Sequence, residues 1–234
     1  MKTIGLIGGM SWESTIPYYR QINELTKQRL GGLHSARIVL YSVDFHDIER
    51  LQHAGDWDAA GAVLADAARA LQAAGADFVV VCTNTMHKVA AHIEAAVSIP
   101  LLHIADPTAA AIKDAGHTVV GLIGTRFTME EAFYRGRLRE RHGLRVIVPE
   151  AADRELIHRV IYEELCLGDV LPASRAEYRG IMAALVAQGA QAIILGCTEI
   201  SLLVDASDAS VPLFDTTALH AAAAVETALI GSPA

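Results

Sequence analysis

The 234 residues carry 27 acidic against 19 basic side chains, a formal charge of −8. That balance argues against nucleic acid and anionic membrane surfaces as partners, since both are held through basic patches. With 52% hydrophobic and 20% charged residues the chain suits an α/β protein with an ample core, and no apolar run approaches the ~18 residues of a membrane span.

Short aliphatic runs alternate with Ala-rich stretches along the chain, the pattern of parallel βα units. In the first half, strands are expected at Thr3–Ile7, Arg37–Val43, Phe78–Val81 and Leu101–His103, with a helix over Trp57–Ala73. In the second half they are expected at Val119–Ile123, Val146–Val148, Ala192–Leu195 and Leu213–Asp215. Gly75, Gly116, Gly143 and Gly189 read as helix stops. A domain limit is expected near Ala115–Thr118, with the last strand and helix returning to the first domain. The expected domains are therefore residues 1–115 plus 211–234, and residues 116–210. The start of the chain runs into the first strand with no signal-peptide layout, and three cysteines suit free thiols, so a cytoplasmic setting is expected.

The two halves repeat. Gly5-Leu6-Ile7-Gly8 recurs as Gly121-Leu122-Ile123-Gly124, an offset of 121 − 5 = 116. Gly75 to Val81 recurs as Gly189 to Leu195, an offset of 189 − 75 = 114, and Ile99-Pro100-Leu101-Leu102 as Val211-Pro212-Leu213-Phe214, an offset of 211 − 99 = 112. On the offset of 114, Cys82 matches Gly196, Thr83 matches Cys197, Asn84 matches Thr198 and Thr85 matches Glu199. One half thus offers a hydroxyl where the other offers a thiol. Ligands of such sheets bind at the carboxyl ends of the strands. If the repeats face each other, Thr83 and Cys197 approach a shared cleft from opposite sides.

The residues at those strand ends point to carboxylate binding and acid–base chemistry. Gly5-Leu6-Ile7-Gly8-Gly9 fails the dinucleotide fingerprint, which needs glycine at the position of Ile7. Ser11 and Ser14 are potential caps of the helix that follows. Asn84, Thr85 and Thr198, and less strongly Thr125, bring hydroxyls, an amide and exposed backbone N–H groups to helix starts, where a carboxylate is held well. Cys82 and His87 at C-x4-H spacing match no compact zinc pattern, so no metal is expected. His87 is expected to begin a helix with a local hydrogen bond, and Cys166 to be a small core residue. Cys197, after a glycine at the end of a buried strand and near a helix start, is expected to have its pKa lowered from ~8.5 toward neutrality.

Gly5 to Thr15, Asn84-Thr85-Met86-His87, Gly121 to Thr125 and Gly196-Cys197-Thr198-Glu199 together resemble the aspartate/glutamate racemase superfamily, in its amino-acid racemase branch. The resemblance spans nearly the whole chain. It implies two pseudo-symmetric parallel-sheet α/β domains with the site in the cleft between them, commonly a homodimer, and neither pyridoxal phosphate nor metal. In the family a cysteine from each domain flanks the substrate Cα; one thiolate takes the α-proton and the other thiol protonates the opposite face. The resemblance makes Cys197 and Thr83 the catalytic pair, with Met10, Gln52, Asn84, Thr85, Thr125 and Thr198 about the substrate. Its donors would stabilise the carbanion-like state.

Here the first motif departs from the family, because Thr83 occupies the cysteine position. Cys82 is one place too early, with its side chain on the other face of the strand. A hydroxyl is a far weaker acid than a thiol, so Cys197 is expected to be the competent base and Thr83 a proton relay. Enantiomers have equal free energy in water, so any one-way behaviour is only apparent. Aspartate or glutamate is the expected substrate, with a broader polar set next; Arg50 lies where a side-chain carboxylate would be met. The alternatives are a single-cysteine decarboxylase or isomerase of the same superfamily, and a non-catalytic amino-acid-binding module.

Overall fold

In the computed structural model, which describes residues 1–230, the aliphatic runs become eight strands in two parallel sheets. The last four residues of the expected 211–234 segment lie outside the described residues. By packing, the chain divides into two units, Met1–Ile104 with the chain from His220 on, and Ala105–Leu219.

The first unit contains β1 (Ile4–Gly8), α1 (Trp12–Leu30), β2 (Ile38–Ser42), α2 (Phe45–Ala54), α3 (Trp57–Ala73), β3 (Phe78–Val81), a 3-10 turn over Thr85–Val89, α4 (Ala90–Ala96) and β4 (Leu101–Leu102). The second contains α5 (Ala105–Asp114), β5 (Val119–Gly124), α6 (Arg126–Glu130), α7 (Ala132–His142), β6 (Arg145–Ile147), α8 (Ala151–Glu163), α9 (Pro172–Ala187), β7 (Ala192–Gly196), α10 (Ile200–Leu203) and β8 (Leu213–Asp215). The final helix, α11 (Thr216–Leu229), carries the limit between the units after Leu219.

Side chains alternate across a strand, so the buried strands of the first unit feed two cores. Ile7, Val79 and Val81 pack with Leu64, Ala68 and Leu71 of α3. Ile4, Leu6, Phe78, Val80 and Cys82 face the other way, against Tyr18 and Ile22 of α1 and Ala221, Ala224 and Val225 of α11. Each fully buried leucine or isoleucine contributes about 2 kcal/mol over an exposed one. Asp56 starts α3 by accepting from Ala59 N at 3.1 Å, which satisfies a helix-end donor.

The repeat is visible in topology and in register. The sheets run β2-β1-β3-β4 and β6-β5-β7-β8, the same order twice. Ile7 pairs with Val81, and Ile123 pairs with Leu195. These pairs map onto each other under the offsets of 116 and 114. A Cβ on Gly5 would stand 3.3 Å from Leu71 Cβ of α3, and one on Gly121 the same distance from Leu185 Cβ of α9. The two glycines therefore admit the same helix at the same depth in each half.

The unit limits fall elsewhere than the expected 115/116 and 210/211. β8 belongs with the second unit because it is hydrogen-bonded to β7, pairing Leu213 with Ile193. α5 joins it through Asp106, which accepts from Arg137 Nε at 2.7 Å and Nη2 at 2.6 Å and meets His142 Nε2 at 2.9 Å.

Candidate active site

In each sheet the two central strands lead to neighbours on opposite sides, and a ligand crevice opens at the carboxyl ends of such strands. In the first unit those ends are the Gly8–Ser11 loop after β1 and the Cys82–Asn84 segment after β3. In the second they are Gly124-Thr125 after β5 and Cys197 to Glu199 after β7.

The first half-site is buried and polar. Thr83, Asn84 and Thr85 are each less than one tenth exposed. The Thr83 hydroxyl makes no hydrogen bond among the described residues. Its carbonyl is held by His87 Nδ1 at 2.8 Å, while His87 Nε2 receives the Ile104 N–H at 3.2 Å. A carbonyl only accepts and an amide N–H only donates, so the His87 proton sits on Nδ1 and the ring is neutral. The expected local role of His87 is what the structure shows, in a 3-10 turn rather than an α-helix. Met10 is buried in the core with Ile7, Ile48 and Met86. Gln52 of α2 is buried against Met86, with Nε2 donating to its Sδ at 3.0 Å. Gly9 N donates to Thr15 Oγ1 at 2.9 Å, which ties the loop to α1. Arg50 is exposed on α2. Cys82 lies in the core on the opposite face from Val81, and burial pushes its thiol far up from the usual range. It cannot stand in for Thr83.

The second half-site adds a carboxylate. Cys197, 8% exposed, directs Sγ–H to Glu199 Oε2 at 3.0 Å, and Thr198 Oγ1 donates to the same oxygen at 2.6 Å. Glu199 is itself buried. Thr125 caps α6, accepting from Thr128 N at 3.3 Å. The strand ends approach closely: a Cβ on Gly124 would lie 2.7 Å from Gly196 O, and one on Gly196 would lie 2.9 Å from Ile123 O. Glycine at both places lets β5 and β7 deliver Thr125 and Cys197 to one edge.

The acidity of Cys197 runs opposite to expectation. Its pKa is raised well above the usual thiol range, first by burial, then by the Glu199 carboxylate and the neighbouring Cys166; the Glu199 backbone N–H opposes this and loses. A thiolate and a carboxylate at this distance repel by several kcal/mol inside a protein. The helix that was to lower the pKa is α10, only four residues long, and it offers little dipole to offset that repulsion. At rest Cys197 is a thiol that donates to Glu199. Cys166, expected in a helical core, is half-buried in a 3-10 turn over Leu165–Leu167.

Glu199 is a candidate acid–base side chain to which composition and motifs assign no role. Its signal was in the repeat, where it stands opposite Thr85 just as Cys197 stands opposite Thr83. Among the described residues no group of three or more His, Cys, Asp or Glu side chains is placed to hold a metal ion, and no helix is long and apolar enough to cross a membrane.

Comparison with known proteins bears on the fold and the family. Residues 7–224 match the model of the Asp/Glu/Hydantoin racemase family. The broad specificity amino-acid racemase RacX of Bacillus subtilis (strain 168) is 24% identical over 97% of this chain and 98% of its own. A crystal structure from Yersinia pestis, assigned as a candidate Asp/Glu racemase, is 64% identical over 98% of this chain and all of that one, with a TM-score of 0.91. An aspartate racemase homologue of Pyrococcus horikoshii OT3 is 34% identical over 97% of this chain and 99% of that one, with a TM-score of 0.83. The chain belongs to the Asp/Glu/Hydantoin racemase family, a family of isomerases.

Proposed function

We propose that the protein is a cofactor-independent amino-acid racemase in which Cys197 and Thr83 act on opposite faces of one substrate Cα, aspartate or glutamate first and other polar amino acids next. The observation that carries this reading is the Cys197–Glu199 contact at 3.0 Å. A buried thiol needs somewhere to send its proton before it can act as a base, and Glu199 is that acceptor. The Cys197 proton passes to Glu199 Oε2; the thiolate removes the Cα proton, whose bonding electrons spread into the substrate carboxylate as a carbanion-like enediolate. Thr83, or a water held by its hydroxyl, supplies a proton to the other face, and the proton on Glu199 returns through solvent. Asn84 and Thr85, Thr198 through its backbone N–H, and Thr125 through the α6 start, donate toward the substrate carboxylate. The names of the similar proteins support the substrate class: an aspartate racemase homologue and a broad-specificity racemase.

The direct test is deuterium wash-in at Cα, followed by NMR for L- and D-aspartate and L- and D-glutamate separately. Exchange that accompanies inversion, and that is absent from Cys197→Ser, is the expected result. Retained exchange in Cys197→Ser removes Cys197 from the chemistry.

We further infer a cytoplasmic homodimer acting on free amino acids. The three free cysteines suit a reducing compartment. The dimer reading rests on the edge strand β2. Arg37 O and Val43 N bond to β1, so by alternation Ile38, Leu40 and Ser42 turn their N–H and C=O groups outward. A second copy related by a two-fold axis at Leu40 would pair with them antiparallel. Trp12, Ile16, Tyr19 and Leu40 line an apolar groove beside that edge, and Tyr41 is exposed next to it. With their aromatic rings about half exposed, these side chains offer roughly 400 Å² of apolar surface, near the apolar share of a standard ~800 Å² face. Sedimentation at micromolar concentration checks this: Leu40→Lys is expected to release monomer.

A further inference from the structure

Each unit has a pocket beside its edge strand: an apolar groove near the carboxyl end of β2 in the first, a cationic cavity at the amino end of β6 in the second. Between α7 and the edge strand β6 lies a cavity of about 400 Å³, lined by Arg135 and Arg139 from α7 and Arg145 from β6, with no carboxylate among its lining residues. Three guanidinium groups around one cavity run against the charge of a chain with a net −8. They are poorly compensated. Arg135 Nη2 donates to Glu130 O at 2.7 Å, but its Nε is buried without a hydrogen-bond partner. Among the described residues Arg139 pairs only with the exposed Glu140, at 2.7 Å, a contact screened by solvent and worth little. The Arg145 side chain makes no hydrogen bond or ion pair among the described residues.

Helix-end electrostatics explain only part of this. Arg139, Arg141 and His142 fill the last turn of α7 and suit the negative end of its dipole. Arg135 stands a full turn earlier, and Arg145 is outside the helix. The helix also carries Gly136 in its interior, on the cavity wall. A Cβ there would be 3.7 Å from Ala132 Cβ and from Glu140 Oε1, ordinary contacts, so alanine would fit. Alanine would also stabilise α7 by about 1 kcal/mol. Glycine instead leaves that part of the cavity wall bare.

We propose that this cavity binds a small anion carrying two or more neighbouring anionic groups, of the phosphate or polycarboxylate class. Guanidinium forks match such groups two oxygens at a time, and the volume falls within the range of small-molecule sites. A lone amino-acid carboxylate would leave two of the three arginines unanswered. The site is separate from Cys197 within the same unit. Arg145 pairs with Val119 at the amino end of β5, whereas Cys197 follows the Gly124–Gly196 pair at the carboxyl end. Five residues of strand separate those levels, about 16 Å.

Isothermal titration of the full chain at low ionic strength tests this, with inorganic pyrophosphate and citrate as probes that separate the phosphate from the carboxylate source. One saturable site is expected, about tenfold weaker or worse in Arg135→Gln/Arg145→Gln and in Gly136→Leu. Arg69→Gln, whose arginine belongs to an exposed helical pair with Asp66, is expected to bind as wild type. Thermal midpoints confirm that each variant is folded, and Arg145→Lys, which keeps the charge and loses the fork, is expected to bind at an intermediate level. No saturable binding of either probe up to about 10 mM overturns the proposal, as does unchanged binding in the double variant. Displacement of the probe by L-aspartate would move it to the amino-acid site and also overturn it.

Discussion

The two half-sites are built on the same frame and differ in what they can do with a proton. After β7 stand a thiol and a carboxylate in contact, Cys197 and Glu199; after β3, at the matched positions, stand two hydroxyls, Thr83 and Thr85. Both acid–base groups of the pair are therefore in one unit. The frame is held constant by matched strand pairs and matched glycines, so the difference is local to a few side chains. A duplicated fold can supply two catalytic faces and still concentrate the strong chemistry on one of them. On the proposed reading the cysteine side does the difficult proton abstraction, and the threonine side delivers or relays.

The largest test of that asymmetry is Cys197→Ser, which gives the second half-site a hydroxyl at the position where the first has one. Loss of a positioned acid–base group costs 10²–10⁴-fold, and about 10³-fold lower kcat for both enantiomers is expected in a coupled racemisation assay. Little change would make the two half-sites equal and break the comparison. Next comes Glu199→Gln, which keeps the shape and removes the acceptor. Because the raised Cys197 pKa means the thiol gives its proton to solvent only at high pH, wild-type alkylation by iodoacetamide is expected to be slow at neutrality and to climb past the usual thiol range. Fed by the internal transfer to Glu199, kcat/KM is expected to stay flat through neutrality. Without the Glu199 charge the thiol ionises more readily, so alkylation by iodoacetamide at pH 8 speeds up. Racemisation nevertheless falls about 10²-fold, because the proton has lost its acceptor. Faster alkylation with faster racemisation would instead make Glu199 a brake on the thiol.

How much of this was legible in the chain varies with the kind of fact. β3, β8 and α3 have the limits expected for them, and for β3 the reason is burial on both faces, which leaves continuous apolar letters. β6 runs Arg145–Ile147 rather than Val146–Val148, since an edge strand takes its start from its partner: Arg145 N bonds Thr118 O at 2.9 Å, whatever its side chain. The repeat located Cys197 opposite Thr83 without coordinates. The acidity of Cys197 was not legible, because it depends first on how deeply the thiol is buried and then on a carboxylate two residues on turning back in an irregular segment. Periodicity says nothing about such a turn. The division by packing was not legible for a related reason: α5 and β8 are held by hydrogen bonds to α7 and β7, which are distant in sequence.

Gly196→Ala probes the frame rather than the chemistry. The matched residue in the first unit is Cys82, which has a side chain and a place in the core for it. In the second unit a Cβ would press on Ile123 O at 2.9 Å and Leu122 Cδ1 at 2.7 Å. Backbone cannot yield as a flexible side chain does, so β5 and β7 must part. A stability loss of about 1–3 kcal/mol is expected in urea unfolding, with Cys82→Ala in the first unit as the contrasting deletion. A neutral Gly196→Ala would show that the close approach of the two strands is not a constraint on the second half-site.

The smallest effect expected is the most pointed. Thr83→Cys restores a thiol to the first half-site, where His87 fixes the carbonyl of residue 83 and the side chain has no hydrogen bond to give up among the described residues. The new thiol lacks a carboxylate beside it, because Thr85 stands where Glu199 stands in the other half. It is therefore expected to gain acidity over the hydroxyl without gaining a proton acceptor. Deuterium exchange from the enantiomer that presents its α-proton to residue 83 should rise by about tenfold, well short of the roughly 10³-fold that Cys197 supplies. The double change Thr83→Cys/Thr85→Glu should then add more than the two single changes multiplied together, since each part is useful only with the other. If Thr83→Cys alone equalises exchange from the two enantiomers, the thiol is sufficient and Glu199 is incidental. If only the pair does so, the unit of function in this fold is the thiol with its carboxylate, and the first half-site lacks both members of it.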